Sequence, residues 1–273
     1  EYEPADEAAE EVGNVELDSL SGEVDKILAG NDSDVLDELL KLNGSSGGAR
    51  PKIVSYVSDD RQQIIHGGAN PPAGFTPWII KFSERYDKLN SGETEYRYSL
   101  AAKEAGIDMP PTHLFPSKNG GGYFGVQRFD RTPQGKVHVH TACGLLHASH
   151  RFSCLDYENL LKLTLVLTRD ITQAEEMVRR MVFNVKSGNR DDHSKNFSFL
   201  LNKNFEWRLA PAYDLTPSAG INGEQTAMVN GKGRNITDDD LIAAAKVADI
   251  PASAVRSIIN TVESALKNNG ISA

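Results

Sequence analysis

Nine polar or small residues, Gly188-Asn189-Arg190-Asp191-Asp192-His193-Ser194-Lys195-Asn196, interrupt an apolar part of the chain. They follow the run MVFNV at 181–185 and precede FSFLL at 197–201. A loop with five ionisable side chains between two apolar segments must satisfy them internally or present them to a ligand. The plain alternative is a polar loop capped by its own Asp and Asn side chains. The flanks restrict the topology. Residues 157–167 and 172–185 carry core-helix spacing. Residues 197–201 and 205–209 flank Asn202-Lys203-Asn204, a hairpin signal. The order is therefore helix, polar loop, hairpin.

Upstream the period changes. Residues 51–57 (PKIVSYV) alternate as a strand, and 78–82 (WIIKF) read as a buried strand holding one lysine. Residues 123–129 (YFGVQRF) form another strand, 92–104 a helix, and 66–77 (HGGANPPAGFTP) a loop. Near the C-terminus, 237–248 open on Thr-Asp-Asp-Asp, which suits a helix start. Residues 251–267 place Val255, Ile258, Ile259, Val262 and Leu266 on one helical face. Short helices are expected near 24–28 and 35–40, and residues 1–20 read as a solvated linker or arm. The expectation is an α+β chain: an acidic linker with short helices over 1–42, a strand-rich lobe over 43–132, and a mostly helical lobe over 133–273.

The sequence carries 38 acidic and 29 basic side chains, a net of 29 − 38 = −9. Fourteen of the acids and one lysine fall in residues 1–40, so the remainder is 28 − 24 = +4. Whole-chain acidity argues against general binding to nucleic acid or anionic membranes but leaves room for a local basic groove. No apolar stretch approaches the ~20 residues of a membrane span. Two cysteines, Cys143 and Cys154, exclude a disulfide scaffold and a four-cysteine zinc site and suit a reducing cytoplasm. His138, His140, His147 and His150 read as surface or supporting groups rather than metal ligands.

Within the polar cluster, Asp191 and Asn196 stand five apart, the D-x-x-x-x-N spacing used in phosphoryl transfer. There an aspartate takes the proton of the attacking hydroxyl, and an asparagine offers a neutral oxygen to magnesium. Asp214 lies 18 residues after Asn196, at the far end of the expected hairpin, where it can face the same ion. His193 and Lys195 alternate with these residues and are placed to touch phosphate or hold the loop. Lys81, inside an apolar strand, reads as a phosphate-pairing lysine. Its carboxylate partner is expected on the next helix, at Glu93 or Glu95, with Glu95 preferred. Ser45-Ser46-Gly47-Gly48-Ala49-Arg50-Pro51-Lys52 is a glycine-rich loop whose amides can approach a phosphate, though it is no P-loop.

These stretches, SSGGARPK (45–52), WIIKF (78–82), YFGVQRFDR (123–131), NRDDHSKNFSF (189–199) and LAPAYDLTP (209–217), keep their order over about 36–260 and resemble HipA-type serine/threonine kinases, the toxin half of bacterial HipBA systems. The resemblance implies a two-lobed protein-kinase-like fold, related to lipid kinases, using ATP and Mg2+. It implies Asp191 as catalytic base and Asn196 and Asp214 as metal ligands. Lys81, His193 and Lys195 would be active-site groups at the nucleotide phosphates, with Ser46, Gly47, Gly48 and Lys52 in the loop beside them. Gln127, Arg128 and Phe129 match the hinge that reads adenine through main-chain atoms; family members commonly have Glu where this chain has Gln127. Ser45, or its neighbour Ser46, matches an autophosphorylated serine that switches the kinase off. The implied partners are a protein substrate, best known as glutamyl-tRNA synthetase, and a HipB-like helix-turn-helix antitoxin through which DNA is reached. The implied location is cytoplasmic, without a membrane. The alternative is a catalytically weak module of the same fold that binds such an antitoxin as co-repressor. Family members also carry a small N-terminal domain, which the acidic stretch 1–40 does not supply.

Overall fold

The computed structural model describes residues 13–28, 51–67, 70–82, 90–118, 120–148 and 155–271. The short helix expected near 35–40 and the loop residues Ser45, Ser46, Gly47 and Gly48 lie outside them. The chain is α+β and divides into two compact units. One comprises residues 1–96 and 111–128, the other 97–110 and 129–273.

The first unit is built on six antiparallel strands: β1 (Gly13–Asn14), β2 (Lys52–Ser58), β3 (Ile64–His66), β4 (Phe75–Lys81), β5 (Thr112–Phe115) and β6 (Tyr123–Gln127). Their spatial order is β1-β3-β2-β4-β6-β5. Strands β2 and β4 pair over seven residues, from Lys52 opposite Lys81 to Ser58 opposite Phe75. Alternation does the sorting: Ile53, Val57, Trp78 and Ile80 turn inward with Phe82, Phe115 and Tyr123. Gly125 is required where Trp78 and Phe115 cross the sheet, because a Cβ there would stand 2.4 Å from the Phe115 ring.

The structure differs from the reading of residues 1–20 as a solvated arm. From Gly13 the chain pairs with β3, and helix α1 (Leu17–Leu28) follows. Leu17 and Leu20 enter the core of the first unit. The Asp18 carboxylate accepts from Tyr123 Oη at 2.9 Å, Ser117 Oγ at 3.1 Å and the Lys118 amide at 3.2 Å. The anchor is two leucines and one carboxylate, too short a pattern to stand out among so many acids.

Helix α2 (Ser91–Glu104) begins in the first unit and ends in the second. The second unit adds the hairpin β7 (Arg131–Thr132) and β8 (Gly135–Lys136). A three-stranded sheet follows, ordered β11-β10-β9. It comprises β9 (His138–Thr141), β10 (Ser198–Leu201) and β11 (Trp207–Leu209). Its helices are α3 (Ala142–Leu145), α4 (Tyr157–Thr168), α5 (Ile171–Ser187), α6 (Asp238–Ala245) and α7 (Ala252–Asn268). Thr237 caps α6 in a reciprocal box with Asp240. Val255, Ile258, Ile259, Val262 and Leu266 of α7 are buried together. Among the described residues, no helix is long and apolar enough to cross a membrane.

Candidate active site

In the first unit, Lys81 ends β4 and donates to Glu95 Oε1 at 2.5 Å. Glu95 is buried and Glu93 exposed, because Gly92, Glu95, Tyr98 and Ser99 form the buried stripe of α2. The Lys81 ammonium also lies 5.8 Å from the centre of the Phe124 ring. Lys52 stands directly opposite Lys81 across the β2–β4 ladder, so both side chains share the face away from Ile53 and Ile80. Like charges directly opposite are destabilising. Glu95 offsets part of that cost, and an anionic ligand would offset more. Replacing Glu95 by Ala removes a buried charge-assisted hydrogen bond of about 1.5–3 kcal/mol. Urea unfolding of the Glu95→Ala protein should show a loss of stability of about that size.

Part of the main chain is already engaged in the stretch expected to act as an adenine-reading hinge, Gln127 to Phe129. The Gln127 amide donates to Pro111 O at 2.9 Å and the Arg128 amide to Pro77 O at 2.9 Å. Neither N–H is available to an adenine, which leaves carbonyls as the main-chain contacts at these two residues.

In the second unit, Gly188 caps α5 in the left-handed conformation (φ 72°), which turns the chain sharply into the polar loop. Exposure then alternates: Asp191 and Lys195 face out, while Asp192 and Ser194 are buried. Asn196 Nδ2 donates to the Asp191 carbonyl at 2.9 Å, so its Oδ1 is the amide's remaining acceptor. His193 Nε2 lies 3.9 Å from Asp191 Oδ1. Among the described residues, His193 Nδ1 is buried without a hydrogen-bond partner. Partial burial raises the Asp191 carboxyl above its ordinary value. The His193 ring opposes that shift, and the negative charge of Asp214 adds to it. The hairpin thus brings Asp214 within electrostatic reach of Asp191. Asp214 takes a left-handed backbone (φ 58°), a conformation that Asp tolerates better than most residues.

Tyr213 precedes it. Its hydroxyl donates to the Lys195 carbonyl at 2.6 Å and lies 2.6 Å from Ser198 Oγ. Burial pushes its phenol up to about 12, so the hydroxyl keeps its proton at neutral pH. Its ring lies 5.9 Å from that of Phe129.

Asp192 is the residue that sequence reasoning passed over. It is 1% exposed. Oδ1 accepts from the Thr226 and Ala227 amides at 2.8 and 3.0 Å, and Oδ2 from Tyr157 Oη and Gln225 Nε2 at 2.7 and 3.0 Å. The Thr226 hydroxyl and the Gln225 side chain add bonds to the Arg190 and Asn189 carbonyls. Asp192 therefore staples residues 225–227 to the loop that carries Asp191. The one available signal was the Asp191-Asp192 doublet itself, since two adjacent side chains on an extended loop point opposite ways.

The donor set around Asp191, the Asn196 amide oxygen and the Asp214 carboxylate is all oxygen, with no sulfur or imidazole required. That chemistry fits magnesium. A family model described as the HipA-like C-terminal domain matches residues 44–269. The chain belongs to this family. Among HipA-like relatives, "Putative kinase Y4dM" of Sinorhizobium fredii is 30% identical over 206 residues, covering 69% of this chain and 49% of its own length. A "Putative kinase" of Haemophilus influenzae is 29% identical over 185 residues, covering 62% of this chain and 51% of its own. The chain thus spans about half the length of the curated relatives it matches. A chain of the Shewanella oneidensis MR-1 complex of HipA, HipB and operator DNA superposes with a TM-score of 0.69 at 17% identity. That superposition covers 96% of this chain and 65% of the other. The Helicobacter pylori proinflammatory kinase CtkA gives a TM-score of 0.50 at 15% identity, covering 82% of each chain. At these identities the two structures establish a shared fold.

Proposed function

We propose that the chain is the catalytic part of an ATP- and magnesium-dependent protein serine/threonine kinase with a two-lobed, kinase-like fold, its lobes at 43–132 and 133–273. The observation that carries this reading is the Asp191 loop, with Asn196 fixed on its main chain and Asp214 acting on its carboxylate. In this reading a substrate hydroxyl attacks the γ-phosphorus of ATP. The bond from that phosphorus to the β,γ-bridging oxygen breaks, and ADP leaves with the electron pair. Asp191 takes the hydroxyl proton as general base. Asn196 Oδ1 and Asp214 would hold magnesium, which when bound supplies countercharge for the transferring phosphoryl group. Lys81, oriented by Glu95, pairs with phosphate oxygens, and Lys52 shares that anion. His193 orients Asp191, and Lys195 lies beside the phosphates. Ser46, Gly47 and Gly48 are assigned to phosphate binding and Ser45 to autophosphorylation, as the family resemblance implies. The carbonyls near Gln127 and Arg128, with Phe129, meet the adenine.

The proposed partners follow from family membership: a cytoplasmic protein substrate such as glutamyl-tRNA synthetase, and a HipB-like antitoxin linking the chain to DNA. The S. oneidensis relative is in complex with HipB and operator DNA, which supports the second. The test is incubation with γ-labelled ATP and magnesium, followed by acid hydrolysis of the labelled protein. Label should appear as phosphoserine or phosphothreonine and vanish when EDTA is present. Label found only as phosphotyrosine, or only on a small molecule, would contradict the reading.

A further inference from the structure

We infer that the Tyr213 hydroxyl is a positioning group that fixes the two proposed magnesium ligands, Asn196 and Asp214, relative to each other. The inference rests on the metal-binding reading above and assigns the geometry of that site to a side chain outside it. The hydroxyl reaches both stretches of chain that carry the ligands. It donates its proton to the Lys195 carbonyl at 2.6 Å, and that carbonyl belongs to the peptide bond leading into Asn196. With its proton so engaged, the same oxygen accepts from Ser198 Oγ at 2.6 Å. Ser198 is 2% exposed and is held in β10 opposite Thr141. The latch is therefore tied to a paired strand on one side. On the other side it is joined directly to the left-handed turn at Asp214.

Each end of the site has its own reason to need this. Asn196 sits in a single helical turn, Ser194–Asn196, whose preceding residue provides no side-chain cap. Asp214 holds a left-handed backbone conformation that costs a non-glycine residue free energy and gains from surroundings that hold it. One hydrogen bond donated and one accepted by the same phenol supply that constraint to both, and the Phe129 ring against Tyr213 limits rotation of the phenol. Groups that orient metal ligands in this way commonly change metal affinity about 10–100-fold when removed.

Tyr213→Phe deletes one oxygen and keeps the ring against Phe129. The measurement is uptake of Mn2+ by the full chain loaded with a non-hydrolysable ATP analogue, read from the free-ion signal in electron paramagnetic resonance. Tyr213→Phe should raise the Mn2+ half-saturation concentration about 10–100-fold. The affinity for the analogue measured without metal should stay within about twofold, which a general loss of structure would not allow. Ser198→Ala removes only the second bond and should shift Mn2+ half-saturation in the same direction by less. It also serves as the test if Tyr213→Phe does not fold. Equal half-saturation in wild type and Tyr213→Phe, or in wild type and Ser198→Ala if only that variant folds, would overturn the role of Tyr213 while leaving the metal site standing. No Mn2+ uptake by the wild-type chain would instead defeat the metal reading and this inference with it.

Discussion

Changing Asp191 to Gln should lower the rate of phosphoryl transfer by about 10²–10⁴-fold, the range that a positioned general base contributes. The Asp191 side chain is 60% exposed, so exchanging its carboxylate for an amide disturbs little packing. The thermal midpoint and nucleotide affinity of the variant should therefore stay close to those of the wild type. Steady-state transfer assays on both proteins check this, and transfer within tenfold of wild type would remove Asp191 from the mechanism. The pH dependence has a fixed sign. Asp191 must be ionised to accept a proton, and its carboxyl is raised by burial and by Asp214. Activity should rise with pH on the acid limb of the profile, and that limb should be missing in whatever residual rate Asp191→Gln retains.

The neighbouring aspartate should behave in the opposite way, giving a large loss of stability. Asp192→Ala removes an acceptor from four donors in a buried site: the Ala227 amide and the Tyr157 hydroxyl lose theirs outright, while the Gln225 side chain and the Thr226 amide keep bonds to the Asn189 and Arg190 carbonyls. Each orphaned donor costs about 1–3 kcal/mol, partly relieved where water can enter. The expected destabilisation is about 3–5 kcal/mol, the range for breaking a buried charged network. A scan should show it as a fall in thermal midpoint of about 10 °C or more. A change of under about 2 °C would show that water replaces the staple without cost.

Burial raises the Asp192 carboxyl from 3.8 to about 6 against the pull of the Ala227 amide, the Tyr157 hydroxyl and the Thr226 amide. Between those values the folded chain holds a proton that the unfolded chain releases. The stability that this group contributes is thus fully present below about pH 4 and is lost as pH rises through 6, by about 3 kcal/mol. Asp192→Asn keeps an oxygen for the two backbone amides and has no proton to release. Urea unfolding at several pH values should show the wild-type free energy losing this component between pH 4 and 6 relative to Asp192→Asn.

The parts of this arrangement that could be read from sequence were those encoded locally. Lys81 stands out because an apolar strand has no use for a charge without a partner. The phase of α2 selects Glu95 over Glu93 as that partner. The Thr237 cap and the apolar face of α7 follow from spacing within a single helix. What was hidden depends on contacts between distant residues. Asp191 and Asp192 are the same residue type side by side. They are separated only by Tyr157 and residues 225–227, more than thirty positions away in each direction. Tyr213 stands in the stretch LAPAYDLTP with no pattern of its own, and its reach back to Lys195 and Ser198 exists only once the β10–β11 hairpin has formed. The attachment of residues 13–22 to the first unit was lost against the acidic background of residues 1–40. Strand β5 is four residues long, follows two prolines, and buries only its two ends, so it has no alternating pattern.

The most direct test of the account is the intact mass of the purified wild-type chain before and after incubation with magnesium and ATP, with Asp191→Gln alongside. The account predicts a gain of one phosphate on the wild type, mapping to Ser45 or Ser46, and no gain on Asp191→Gln. An unchanged wild-type mass, together with no transfer to any added protein, would contradict it.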